Sequence, residues 1–188
     1  MIILLANYRV GSSVFQRDYA KKTGATCWTS TGEYLHPFDG GYKPPDSKIN
    51  LYKVMPDQYK DNSEDFKKDY LDKAREIIYL VRRDFTTQIL SYAKCVETQN
   101  WHPWEENWNQ RFDPYYQYSF ELDKQTWREH KILLASNLEH QSRIYKSYPG
   151  KVMYLEDRYS KPIEYLNKVE IVNAADYYSN IDVEKYFQ

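Results

Sequence analysis

Short apolar runs alternate with amphipathic stretches along most of this chain. Ile2-Ile3-Leu4-Leu5-Ala6 is continuously apolar, the pattern of a strand buried on both faces. From Ser12 to Thr23, Val14, Phe15 and Tyr19 share one helical face, and Gly24 supplies the stop. Ala25 to Trp28 reads as a second short strand and Thr29 to Tyr34 as a polar loop. Residues 36–48 carry Gly40-Gly41 and Pro44-Pro45 and read as irregular. Ile49 to Met55 alternates apolar and polar residues, which predicts a third strand. Asn62 or Ser63 can cap a charged helix running to about Ala74. Ile77-Ile78-Tyr79-Leu80-Val81 is the strongest strand pattern. The helix predicted after it, Thr86 to Thr98, turns Ile89, Leu90 and Ala93 inward.

The second half is less regular. Residues 99–120, from Trp101-His102-Pro103-Trp104 to Tyr115-Tyr116-Gln117-Tyr118, form an aromatic, turn-rich insertion. Lys124 to Lys146 is the longest helical pattern, with Trp127, Leu134, Leu138 and Tyr145 among its apolar positions. Val152 to Leu155 reads as a last strand after Pro149-Gly150. Pro162 opens a final amphipathic helix through about Val169, where a first-turn proline is tolerated. There is no internal repeat and no linker composition. Buried strands alternating with helices predict an α/β fold in three layers, with a mostly parallel central sheet. The expected organisation is one domain over 1–188, with 96–149 as a variable helical and aromatic insertion.

Charge narrows the candidate partners. The 188 residues carry a formal net charge of −1, which argues against a general nucleic-acid or membrane-surface binder and makes any anion site a local one. The 20 tyrosines supply core material. Cys27 and Cys95 are far apart and read as free thiols. The opening apolar run lacks a basic flank and a cleavage site, so a cytoplasmic location is expected. His102, His130 and His140 do not stand at zinc spacings, so no metal is expected.

Two basic motifs carry the candidate chemistry. Arg9-Val10-Gly11-Ser12-Ser13 joins the first strand to the first helix. Unpaired N–H groups and the positive end of the helix dipole make such a turn an anion site, and the arginine adds a fixed charge. The motif lacks the Lys-Ser/Thr pair of a nucleotide-hydrolysing P-loop, which disfavours a metal-dependent kinase. The second motif, Arg82-Arg83-Asp84 … Ser91, follows the strongest strand. Arg83 should sit at the strand's carboxyl end, where open α/β sheets bind ligands.

Together the motifs resemble the sulfotransferase family that uses 3′-phosphoadenosine 5′-phosphosulfate. Its first signature is matched by Arg9-Val10-Gly11-Ser12-Ser13, with Val10 in place of the usual Ser or Thr, and its second by Arg83 and Ser91. Arg82-Arg83-Asp84 … Gln88-Ile89-Leu90-Ser91, Gly32-Glu33-Tyr34 and Tyr52-Lys53-Val54-Met55 look most like the bacterial branch that includes trehalose sulfotransferases. Met153-Tyr154-Leu155-Glu156-Asp157 is similar to the family's Tyr-Glu-Asp-Leu segment. The Gly-rich loop that grips the 3′-phosphate in many cytosolic members has no counterpart.

The resemblance implies a P-loop nucleotide-binding-like fold and sulfuryl transfer to a hydroxyl acceptor, a small molecule or carbohydrate, with 3′,5′-adenosine bisphosphate as product and no metal. It implies that Arg9, Val10, Gly11, Ser12 and Ser13 hold the 5′-phosphate and that Arg83 and Ser91 hold the 3′-phosphate. Glu33 would be the base, His36 an alternative base, and Lys53 the group neutralising the transferring sulfuryl. Arg82, pointing to the opposite face, reads as structural and paired with an acid. The aromatic stretch around Trp101, Trp104 and Trp108 fits core packing, a homodimer interface or a stacking surface for the acceptor. Two alternatives stay open: a kinase-like nucleotide-binding transferase, and a non-catalytic protein retaining the fold.

Overall fold

A computed structural model describes residues 1–23, 25–28, 50–56, 64, 67–99, 118–159 and 169–188. Glu33, His36, the irregular loop 36–48, the aromatic stretch 100–117 and the segment opened by Pro162 lie outside the described residues.

The apolar run forms β1 (Ile2–Ala6), buried at every position. It is followed by α1 (Ser12–Thr23), β2 (Thr26–Trp28), β3 (Asn50–Val54) and β4 (Glu76–Val81). Then come α2 (Phe85–Thr98), β5 (Tyr118–Phe120), α3 (Lys124–Ser147), β6 (Lys151–Tyr154), the single turn α4 (Leu155–Arg158) and β7 (Val169–Ile171). Among the described residues the main sheet runs β2-β3-β1-β4-β6, and every pairing in it is parallel. The small β5-β7 sheet is parallel too. The chain is therefore an α/β protein with a mostly parallel central sheet, as the alternating pattern predicts.

Strand side chains alternate between faces, so the sheet has two cores. Ile2, Leu4, Ala6, Leu51, Ile78 and Leu80 pack with Phe15 of α1 on one face. Ile3, Leu5, Tyr52, Val54, Ile77, Tyr79 and Val81 face the other side, against Ile89 and Ala93 of α2 and Leu134 and Leu138 of α3. Caps fix both long helices. Asp84 accepts from the Thr87 amide at the start of α2, and Asp123 from the Gln125 and Thr126 amides at the start of α3.

Several local expectations change. β3 does not alternate between core and solvent. It lies between β2 and β1, and all five of its residues are buried, Asn50 and Lys53 included. Where a charged helix is expected to run to about Ala74, the described residues form a π-helical turn at Lys67–Leu71, in which Asp72 N–H bonds the Lys67 carbonyl. Val169, expected to close a helix, begins strand β7, which has Tyr118–Phe120 to pair with. The carboxyl terminus adds 3₁₀ turns at Ala174–Asp176 and Val183–Phe187. Through the second, Val183 and Phe187 enter the larger core.

Strand order determines where the chain opens. From β1 it goes through α1 to one side of the sheet, and β4 then lies on the opposite side of β1. α1 and α2 consequently leave the adjacent ends of β1 and β4 toward opposite faces, which opens a crevice at the carboxyl edge.

Gly150 enters β6 at a close approach to β4. A Cβ there would lie 2.4 Å from the Ile77 carbonyl oxygen. Gly150→Ala should therefore destabilise the fold by about 1–3 kcal/mol, read as a lower urea midpoint. An unchanged midpoint would show that the β4–β6 contact yields freely.

Candidate anion site between β1 and β4

The turn from β1 into α1 has an unusual backbone. Arg9 has φ 61° and Gly11 φ 69°, whereas Val10 between them is not in the positive-φ region. Glycine adopts this conformation readily, but for an arginine it costs on the order of 1–2 kcal/mol. Alternation of hand along successive residues turns their N–H groups toward one concave side, the geometry of anion-binding nests. The first turn of α1 continues that surface with its own unpaired N–H groups. The Val10 side chain is fully buried with Phe15 and Leu80, so it seats the loop in the core and leaves only its backbone to the concave side.

Side chains from four neighbouring elements secure this strained turn. The Asn7 amide donates to the Leu134 carbonyl of α3 at 2.9 Å, and its oxygen accepts from the Tyr8 N–H at 2.8 Å. Gln88 of α2 donates to the Tyr8 carbonyl at 2.7 Å. Arg82 Nη1, from the end of β4, reaches the Arg9 carbonyl at 3.5 Å. Arg9 Nε donates to Ser91 Oγ of α2 at 3.1 Å. From the other side, Lys53 of β3 donates to Ser13 Oγ at 3.1 Å. Beneath the turn, Gln141 of α3 donates to the Leu5 carbonyl at 2.9 Å and approaches the Leu80 carbonyl at 3.5 Å, bridging the ends of β1 and β4.

Lys53 is the most informative side chain here. It is 6% exposed, and among the described residues its ammonium has one partner, the Ser13 hydroxyl, and no carboxylate. Burial pushes its pKa down to about 8. A lysine held this way at the start of a helix makes the site electropositive from two sources at once, the ammonium and the helix dipole.

The structure brings Arg9, Ser91, Ser13 and Lys53 to one turn, with Gly11 and Ser12 in its backbone. It does not bring Arg83 there. Arg83 lies over the Tyr154 ring at 3.9 Å and binds Asp157 through both terminal nitrogens and Glu184 through Nε at 2.6 Å. These hydrogen bonds raise the guanidinium pKa further and hold the Asp157 carboxyl below its ordinary value. Glu156 caps the same corner, accepting from the Arg83 and Asp84 amides at 3.1 Å. Arg82 also has an acid nearby, with Nε 3.9 Å from Glu156, yet it is the arginine whose terminal nitrogen touches the Arg9 loop. Adjacent residues at a strand end point to opposite faces, and here Arg82 takes the Arg9 side.

Sequence reasoning passed over Asn7, Gln141 and Glu184. All are polar residues whose partners lie far along the chain, and no local spacing marks them. A row of rings also flanks Ser91. Tyr92 packs 5.6 Å from Tyr8 and edge-on at 5.0 Å from His130, whose imidazole is pushed below its ordinary pKa by burial. Among the described residues no helix is long and apolar enough to cross a membrane, and no group of three or more His, Cys, Asp or Glu could hold a metal.

In comparison with known proteins, no family model matches the chain, and neither a curated protein nor a solved structure does.

Burial of Lys53 makes a signed prediction about stability. Between about pH 8 and 10.5 the unfolded chain holds the Lys53 proton while the native state has released it, so native stability rises with pH across that window. Below pH 8 both states are protonated and the desolvation cost is fully present. A shift of this size corresponds to about 3 kcal/mol. Lys53→Met should therefore stabilise the protein by about 1–3 kcal/mol at pH 7 and flatten the rise toward pH 10, as measured by denaturant unfolding at both pH values. A variant less stable at pH 7, with the wild-type slope retained, would contradict this account of Lys53.

Proposed function

We propose that the chain is a sulfotransferase, moving a sulfuryl group from 3′-phosphoadenosine 5′-phosphosulfate to a hydroxyl acceptor, on a P-loop nucleotide-binding-like sulfotransferase fold. The observation that carries this reading is the convergence of Lys53–Ser13 and Arg9–Ser91 on the amino end of α1, in the crevice where β1 and β4 diverge. A buried ammonium beside a helix start suits a phosphate or sulfate ester better than a neutral ligand.

The roles of the α1 start, Arg9 and Lys53 follow from position, and that of the base from the resemblance. The α1 amides and Arg9 oppose the charge that builds on the leaving phosphate as its bond to sulfur breaks. Lys53, beside Ser13, balances the charge of the sulfuryl oxygens while the acceptor oxygen bonds to sulfur. The acceptor's proton passes to a base, for which Glu33 is the first candidate and His36 the second. Holding donor and acceptor in line is the rest of the catalysis, as in related phosphoryl transfers. A carbohydrate or other small-molecule acceptor remains the expected partner.

Arg83 has a specific consequence in this reading. For it to hold the 3′-phosphate, the ligand must exchange for Glu184 or Asp157, both of which are exposed enough to leave. The same pairing favours a second reading, a nucleotide-binding transferase that grips only the cradle phosphate and does not use Arg83. That enzyme would require Mg²⁺ with a triphosphate.

The test is thermal stabilisation by 3′,5′-adenosine bisphosphate. At about 100 times its dissociation constant the ligand should add about 2.7 kcal/mol of stability. Arg83→Ala should lose most of that shift. No shift at millimolar ligand would rule out the sulfotransferase reading, and a shift unaffected by Arg83→Ala would favour the second reading.

Removing the competing carboxylate gives a further expectation. Glu184→Gln should bind the bisphosphate several-fold more tightly by calorimetry, since one anion no longer competes for Arg83. Unchanged or weaker affinity would exclude Arg83 from the ligand site.

A further inference from the structure

We draw no further inference here: the strongest candidate, the half-buried side-chain cluster of Tyr8, Tyr92 and His130 where α2 and α3 meet beside the end of β1, belongs to the candidate site already described, where its rings pack on one another.

Discussion

One constraint organises the rest of this structure: a lysine is held in the protein interior opposite a hydroxyl at the start of a helix. Lys53 sits on β3, a strand covered on both sides, and its position across from Leu4 places it on the α1 face. Removing an ammonium from water without a carboxylate beside it is costly. The helix dipole of α1 adds to that cost, because its positive end faces the same point. In the proposed reading, an anion entering the site would offset this cost. Arg9, a non-glycine residue in the left-handed region, adds backbone strain to the same turn.

The surrounding polar contacts are what such strain requires. Asn7 ties the end of β1 to α3, Gln88 ties Tyr8 to α2, and Gln141 spans the ends of β1 and β4. Each is a buried amide bonded to a backbone carbonyl, which fixes the loop more firmly than apolar packing would. The Arg83 cluster has a different function. It joins the end of β4 to α4 and to the carboxyl-terminal 3₁₀ turn, so the last residues of the chain close over the same edge of the sheet. The crevice is thus bordered by an electropositive turn and by an ion-paired corner whose carboxylates are exposed.

Much of the fold was legible because buried parallel strands leave a strong pattern. Ile2–Ala6 and Ile77–Val81 are continuous apolar runs, and α2 and α3 carry clear periodicity. The misreadings have physical causes. Ile49 to Met55 was legible as a strand, but not as a fully buried one, because polar Asn50 and Lys53 interrupt it and both lie in the interior. Val169 ended a helical pattern in sequence, but β7 depends on Tyr118–Phe120, 51 positions earlier. For the candidate site, the Arg9–Ser13 turn could be read directly, whereas Ser91, expected beside Arg83, bonds Arg9 instead. Which arginine of the Arg82-Arg83 pair approaches the turn could not, because that depends on Asp157 and Glu184, brought close only by tertiary structure.

The central claim is that the turn from β1 into α1, with Lys53 at its side, binds a tetrahedral oxyanion. The most direct measurement is a nuclear magnetic resonance titration with inorganic sulfate, following the backbone amides of Gly11, Ser12 and Ser13 together with the Lys53 side chain. The account predicts saturable shifts concentrated on those groups. Shifts that never saturate and spread over exposed lysines, with these amides unmoved, would contradict it.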